Sequence, residues 1–170
     1  SFGNPVIGKR QSDGKWVVVV TSGLNNDNPG TGRGAFFVLD ATSGTILSKV
    51  CTGGGSVLPG TPCTSGTGDT TTPSGLMKIA AFFNSASTDA TFQYVYGGDQ
   101  LGNVWRLDVG TATPSVLHIA TLADGSTPPR RQPITTKPAL THIGSSRVIY
   151  IGTGRYLGNP DLSDPGAGGF

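Results

Sequence analysis

Tyr94-Val95-Tyr96-Gly97-Gly98-Asp99-Gln100-Leu101-Gly102-Asn103-Val104-Trp105-Arg106-Leu107-Asp108 reads as one β-hairpin. Tyr94, Val95 and Tyr96 favour a strand, and no strong helix former stands among them. Gly97, Gly98, Asp99 and Gly102 supply the turn. Glycine takes positive φ without steric cost, and an aspartate at a strand end accepts backbone N–H bonds. Val104, Trp105 and Leu107 resume a strand that ends at Asp108. A degenerate copy lies upstream, as residues 16–23, a loop, then residues 34–40. Residues 147–154 are a third, partial copy. Repeated short hairpins with Gly/Asp turns are the sequence signature of propeller blades.

Composition points the same way. The chain has 170 residues, with 27 Gly, 12 Pro and no Glu. That length suffices for one domain with a core. Helix formers are scarce while Thr, Ser, Val and Gly abound, so the expected class is all-β. The nearest approach to a helical stripe is residues 74–83, which serve equally as a strand. Net charge is +2, and Lys9-Arg10 and Arg130-Arg131 are the basic doublets. Nucleic-acid binding needs a dense basic face, so no nucleic-acid partner is expected. No apolar run approaches the ~18 residues that would span a bilayer. The first residue is Ser and no signal peptide is visible, so the chain reads as a processed or excised piece.

Cys51 and Cys63 are the only cysteines, and they flank a Gly/Pro/Ser/Thr loop. Their spacing is not that of a zinc knuckle, and His118 and His142 lie far away in sequence. The natural reading is a disulfide closing the loop, with two unpaired thiols as the alternative. A disulfide implies periplasm, cell surface or medium.

Along the chain, residues 1–15 read as turn-rich. Residues 16–20 form an apolar run of the kind buried on both faces. Residues 51–74 read as a low-complexity insertion loop and residues 158–170 as a flexible tail. About ten strands are expected, grouped as four-stranded antiparallel blades. That makes about three blades of a partial propeller, forming a single segment over 1–170. Such a wedge would leave apolar faces at both ends.

The stretch Tyr96-Gly97-Gly98-Asp99 with Gly102-Asn103-Val104-Trp105-Arg106-Leu107-Asp108 resembles a signature of the PilY/PilC proteins of type IV pili. Supporting matches fall at residues 18–23, 38–44, 73–76, 132–138 and 152–157, in family order. The resemblance implies a section of a C-terminal modified β-propeller in a large secreted protein. It also implies Asp99, Gly102, Asn103, Trp105 and Asp108 as the structural signature. Members of that family promote pilus assembly, oppose retraction and sit at the pilus tip as adhesins. The implied partners are pilins or minor pilins and a host or abiotic surface. The implied location is the cell surface, pilus tip or outer membrane of a Gram-negative bacterium.

Some members carry a calcium loop before this hairpin. The corresponding positions here are Ser85, Ser87, Asp89, Thr91 and Gln93, of which only Asp89 is a carboxylate. Calcium takes several oxygen ligands, and its affinity follows their charge. Weak binding or none is expected, and no other cofactor. Residues 25–28 are a second oxygen-rich loop. Asp40, Asp99 and Asp108 read better as turn caps than as ligands, and Trp16 and Trp105 as inter-blade core. His118 has no nucleophile motif with it. Residues 152–154 are too short for a phosphate cradle, and Arg130-Arg131 reads as a solvated connector.

The strongest enzyme reading is a quinoprotein dehydrogenase fragment, because residues 39–44 approximate its repeat. Ser48 stands where its docking Trp belongs, and its quinone site needs a Glu that this chain lacks. A non-catalytic quinoprotein-like scaffold propeller of outer-membrane assembly is the other alternative. The expected function is binding and assembly rather than catalysis. Its variable elements are the loops at 24–33, 51–73 and 84–91.

Overall fold

The computed structural model describes residues 3–24, 26–85 and 87–155. These residues contain eleven strands and no helix. The strands are β1 (Val6–Arg10), β2 (Trp16–Thr21), β3 (Ala35–Asp40), β4 (Ile46–Cys51), β5 (Gly55–Val57) and β6 (Ile79–Phe83). They continue with β7 (Thr91–Gly98), β8 (Asn103–Asp108), β9 (Ser115–Thr121), β10 (Ala139–Ile143) and β11 (Ser146–Tyr150). Strands β1 to β5 form an antiparallel meander in chain order. Strands β6 to β9 form a second. Strands β10 and β11 pair as a separate hairpin. The two meanders touch through a short parallel contact, with Lys9 opposite Thr91 and Arg10 opposite Phe92.

The core lies between the meanders. Val6, Val17, Val19, Phe36, Val38 and Val50 come from the first. Ile79, Phe92, Val95, Trp105 and Leu107 come from the second. Each large apolar side chain so buried stabilises the fold by about 1.5–3 kcal/mol. On β2 the apolar run is not buried on both faces. Val17 and Val19 are fully buried, while Val18 and Val20 are half-exposed. A strand inside an antiparallel meander turns one face to the core and the other outward. Trp16 therefore faces out, 47% exposed, with the Lys9 ammonium 5.6 Å from its ring centroid. Trp105 is buried in the core cluster, 3% exposed. Exposed large apolar side chains include Ile7, Trp16, Leu117, Ile119, Ile143 and Tyr150.

Two strands depart from the sequence reading. β1 lies in the segment read as turns, and β5 inside the segment read as a loop. Gly97 and Gly98 also belong to β7, opposite Trp105 and Val104. The turn proper begins at Asp99. Residues 158–170 lie outside the described residues.

The turn between β1 and β2 is held by charge. Arg10 donates to Asp13 through Nε at 3.0 Å and Nη2 at 2.5 Å. These bonds hold the Asp13 carboxyl at about 2, below its ordinary 3.8. A depressed folded-state value means stabilisation that is complete above the ordinary value and lost as pH falls through the folded one. The denaturation midpoint is therefore expected to fall as pH is lowered from about 4 to about 2. Asp13→Asn should flatten that slope in parallel urea titrations.

Candidate functional site

The signature residues converge on one buried carboxylate. Asp99 sits where β7 ends and is 1% exposed. Its Oδ1 accepts from the backbone N–H groups of Leu101 and Asn103, both at 2.9 Å. Its Oδ2 accepts from Trp105 Nε1 at 2.8 Å and from Asn103 Nδ2 at 3.0 Å. Burial pushes the carboxyl above its ordinary range, while the bonds from Trp105, Asn103 and Leu101 pull it down. The network extends outward. Asn103 Oδ1 accepts from Thr121 Oγ1 at 2.8 Å, and that hydroxyl lies 3.0 Å from His118 Nε2. The His118 ring also packs on Trp105, with centroids 4.9 Å apart. The Asp99 carbonyl takes the N–H of Ile134 at 2.9 Å, tying in the next segment.

Two glycines make this possible. A Cβ on Gly98 would land on the buried Ile134 side chain. Gly102 has φ +79° and its Cβ would meet the Leu122 carbonyl oxygen at 2.6 Å. The arrangement is structural: it joins β7, β8, β9 and the segment after them, and its carboxylate is closed to solvent.

The site open to solvent lies elsewhere, between two of the variable loops. Loop 24–33 and residues 60–63 of the 51–73 segment converge over strands β3 and β4. They border an open cavity of about 510 Å³ lined by residues that include Ser22, Asn26, Arg33, Phe37, Lys49 and Cys63. Phe37 and Lys49 are cross-strand partners, and the ammonium lies 5.4 Å from the ring centroid. Lys49 Nζ donates to the Thr61 carbonyl at 2.7 Å. Burial pulls the Lys49 ammonium below its ordinary value. Asn26 Nδ2 donates to the Arg33 carbonyl at 2.5 Å and so bends the loop back on itself.

The wall of this cavity is stapled. Cys51 and Cys63 form a disulfide across a separation of 12 residues, and both are buried. Thr52 and Ser74 are buried beside them, and the Ser74 hydroxyl accepts from Gly34 N–H at 2.8 Å. The segment thus has an ordered base. A loop of this size gains about 3 kcal/mol from its crosslink. Replacing both cysteines by serine is expected to lower stability by about that amount in urea denaturation. The reduced wild-type chain should match the variant.

The calcium-loop positions do not assemble donors. The Asp89 carboxylate already accepts from Thr91 Oγ1 at 2.6 Å, and Ser85 Oγ pairs with Thr88 Oγ1 at 2.6 Å. Ser87 stays exposed in the loop, while Thr91 and Gln93 belong to β7. One engaged carboxylate and scattered hydroxyls fall short of a calcium shell, so these residues do not fit the ion. Among the described residues no group of three or more His, Cys or Asp side chains could hold a metal. In the 25–28 loop, Asn25 lies outside the described residues, and Asn26 is committed to the Arg33 carbonyl.

The remaining aspartates sit at turns. Asp40 Oδ1 accepts from the N–H groups of Thr42 and Ser43 at 2.8 and 2.9 Å, and Asp108 Oδ1 from that of Gly110 at 2.9 Å. Arg130 Nε donates to Asp124 at 3.0 Å, so the Arg130-Arg131 connector closes on itself. Gly152 and Gly154 accept from the Thr136 and Thr135 hydroxyls, both at 2.9 Å. Sequence reasoning singled out loop 24–33 but not Phe37 or Lys49. Their signal was the strand period, which turns both side chains outward on neighbouring strands.

Residues 1–167 match the family model described as the PilY1 beta-propeller domain. The chain is 24% identical over 193 residues to the type IV pilus biogenesis factor PilY1 of Pseudomonas aeruginosa strain UCBPP-PA14, covering 95% of this chain and 14% of that protein. It is 28% identical over 178 residues to the type IV pilus biogenesis factor PilY1 homolog of Xylella fastidiosa strain Temecula1, covering 95% of this chain and 11% of that one. It thus spans a small fraction of the length of these curated relatives. The fold is that of the crystal structure of the P. aeruginosa PilY1 C-terminal domain, with a TM-score of 0.69 at 23% identity, over 95% of this chain and 34% of that one. With nearly its whole length matched, the chain belongs to the PilY1 beta-propeller domain family.

Proposed function

We propose that this chain is the propeller section of a secreted type IV pilus biogenesis factor that acts by binding rather than catalysis. It supports pilus assembly, opposes retraction and presents its loops at the pilus tip for surface attachment. The family match over residues 1–167 carries this reading. The structure adds a division of labour. Buried networks such as that of Asp99 tie strands of a meander together, and loop 24–33 and residues 60–63 rim an open cleft. Rigid scaffold with variable loops is the usual arrangement for recognition. Pilins or minor pilins would dock on the platform, and a host or abiotic surface on the loops. Among the described residues no helix is long and apolar enough to cross a membrane.

Calcium has no part in this reading. The thermal midpoint of the chain is expected to be the same in millimolar Ca²⁺ and in chelator, by calorimetry. A clear upward shift with Ca²⁺ would mean a site that binds the folded state.

The loops are tested in the parent protein by shortening 24–33, 53–61 and 84–91 while keeping both cysteines. Attachment should fall while pili are still made. Unchanged piliation together with unchanged attachment would sink the assignment of these loops.

A further inference from the structure

The cavity between loop 24–33 and the stapled segment carries charge that the fold does not use. Arg33 and Lys49 both line it, and no acidic residue does. Among the described residues the ion pairs are Arg10 with Asp13 and Arg130 with Asp124, so neither lining cation has a carboxylate partner. An ammonium has three donors, and Lys49 spends one on the Thr61 carbonyl. Arg33 Nε and Asn26 Oδ1 are buried without a hydrogen-bond partner. Such groups are costly while unpaired. Both atoms are closed to solvent, so the charge a ligand would meet in the cleft is that of the two lining cations.

The rest of the lining narrows the class. Ser22 accepts from Ala35 N–H at 3.2 Å and keeps its own proton free to donate. Phe37 adds an apolar surface. A volume of about 510 Å³ is within the range of small-molecule sites and holds one or two sugar rings. A peptide is a poorer fit. Peptides dock on sheets by pairing with a free edge, and β3 is already paired on both sides, by β2 and β4. We propose that this cavity binds an acidic sugar, with its carboxylate between Arg33 and Lys49 and a hydroxyl on Ser22.

The test is titration of the chain with sodium glucuronate, followed by amide chemical shifts, with glucose, acetate and an aspartate-ending peptide in parallel. Saturable shifts are expected in residues 26–33 and 60–63, with affinity in the millimolar range, about tenfold tighter than for glucose. Acetate should bind more weakly than glucuronate. Lys49→Met and Arg33→Met should each weaken glucuronate about tenfold, with the thermal midpoint confirming that the variants are folded. Shifts confined to another face of wild type overturn the proposal without reference to any variant. So do equal binding of glucose and glucuronate, or binding of the peptide in place of the sugar. No pili are needed, so this inference and the assembly reading fail independently.

Discussion

Asp99→Ala is expected to lower the unfolding free energy of this chain by about 4 kcal/mol. The reason is the number of donors that one carboxylate serves. Its removal strands the N–H groups of Leu101 and Asn103, the Asn103 amide and the Trp105 indole N–H. Asp99 is 1% exposed, Trp105 3% and Asn103 4%, so water replaces the lost acceptor only in part. Each buried donor left unpaired costs about 1–3 kcal/mol, and several at one point do not add in full. Asp99→Asn is the sharper control. It keeps the shape but turns an amide N–H₂ toward donors on at least one side, and about 2–3 kcal/mol should still be lost. Trp105→Phe isolates the indole bond and should show a smaller loss. Urea denaturation measures all three. A loss below about 1 kcal/mol for Asp99→Ala would show that the network is incidental to the fold.

Gly102→Ala should cost about 3 kcal/mol, although it adds one methyl. The residue has φ +79°, a conformation unfavourable for an L side chain. The added Cβ would also meet the Leu122 and Gln132 carbonyl oxygens at 2.6 and 2.9 Å. Neither is free to move. Leu122 N–H donates to the Gly102 carbonyl at 2.8 Å, and the Leu122 carbonyl accepts from Gln132 N–H at 2.9 Å. A clash with backbone already in a ladder strains the turn, the end of β9 and the 122–132 connector together. Gly44 offers the comparison: its φ is +74°, but nothing lies within 4 Å of its Cβ position. Gly44→Ala should therefore cost only the conformational penalty, about 1 kcal/mol. Equal losses at the two positions would contradict the packing argument.

The strands were legible where side-chain period and turn chemistry agree. Tyr94 to Asp108 shows both, and β7 and β8 lie there. β1 was hidden because Gly8, Lys9 and Arg10 break the apolar pattern, and its support comes from β2 and from β7, over eighty residues later. β5 was hidden because Gly-Ser-Val has no strand signal of its own; its partner is β4, to which the disulfide-bounded segment returns. Trp16 shows the opposite failure. A strand of apolar residues was legible, but which side faces the core depends on the meander beside it. The Asp99 motif was visible as turn chemistry. That it is buried and holds Trp105 depends on β9 and Ile134, which only the fold brings together. The cavity was half legible: glycine, asparagine and proline mark the loops, whereas Lys49 looks like an ordinary strand cation until Phe37 and Arg33 are placed beside it.

The most direct test of the central claim is the number of surface pili on cells whose parent protein lacks this segment, with its secreted level matched to wild type. Few or no surface pili at normal secretion is the predicted result, placing the propeller in assembly or in opposition to retraction. Wild-type pilus number, twitching and attachment at that matched level would contradict it.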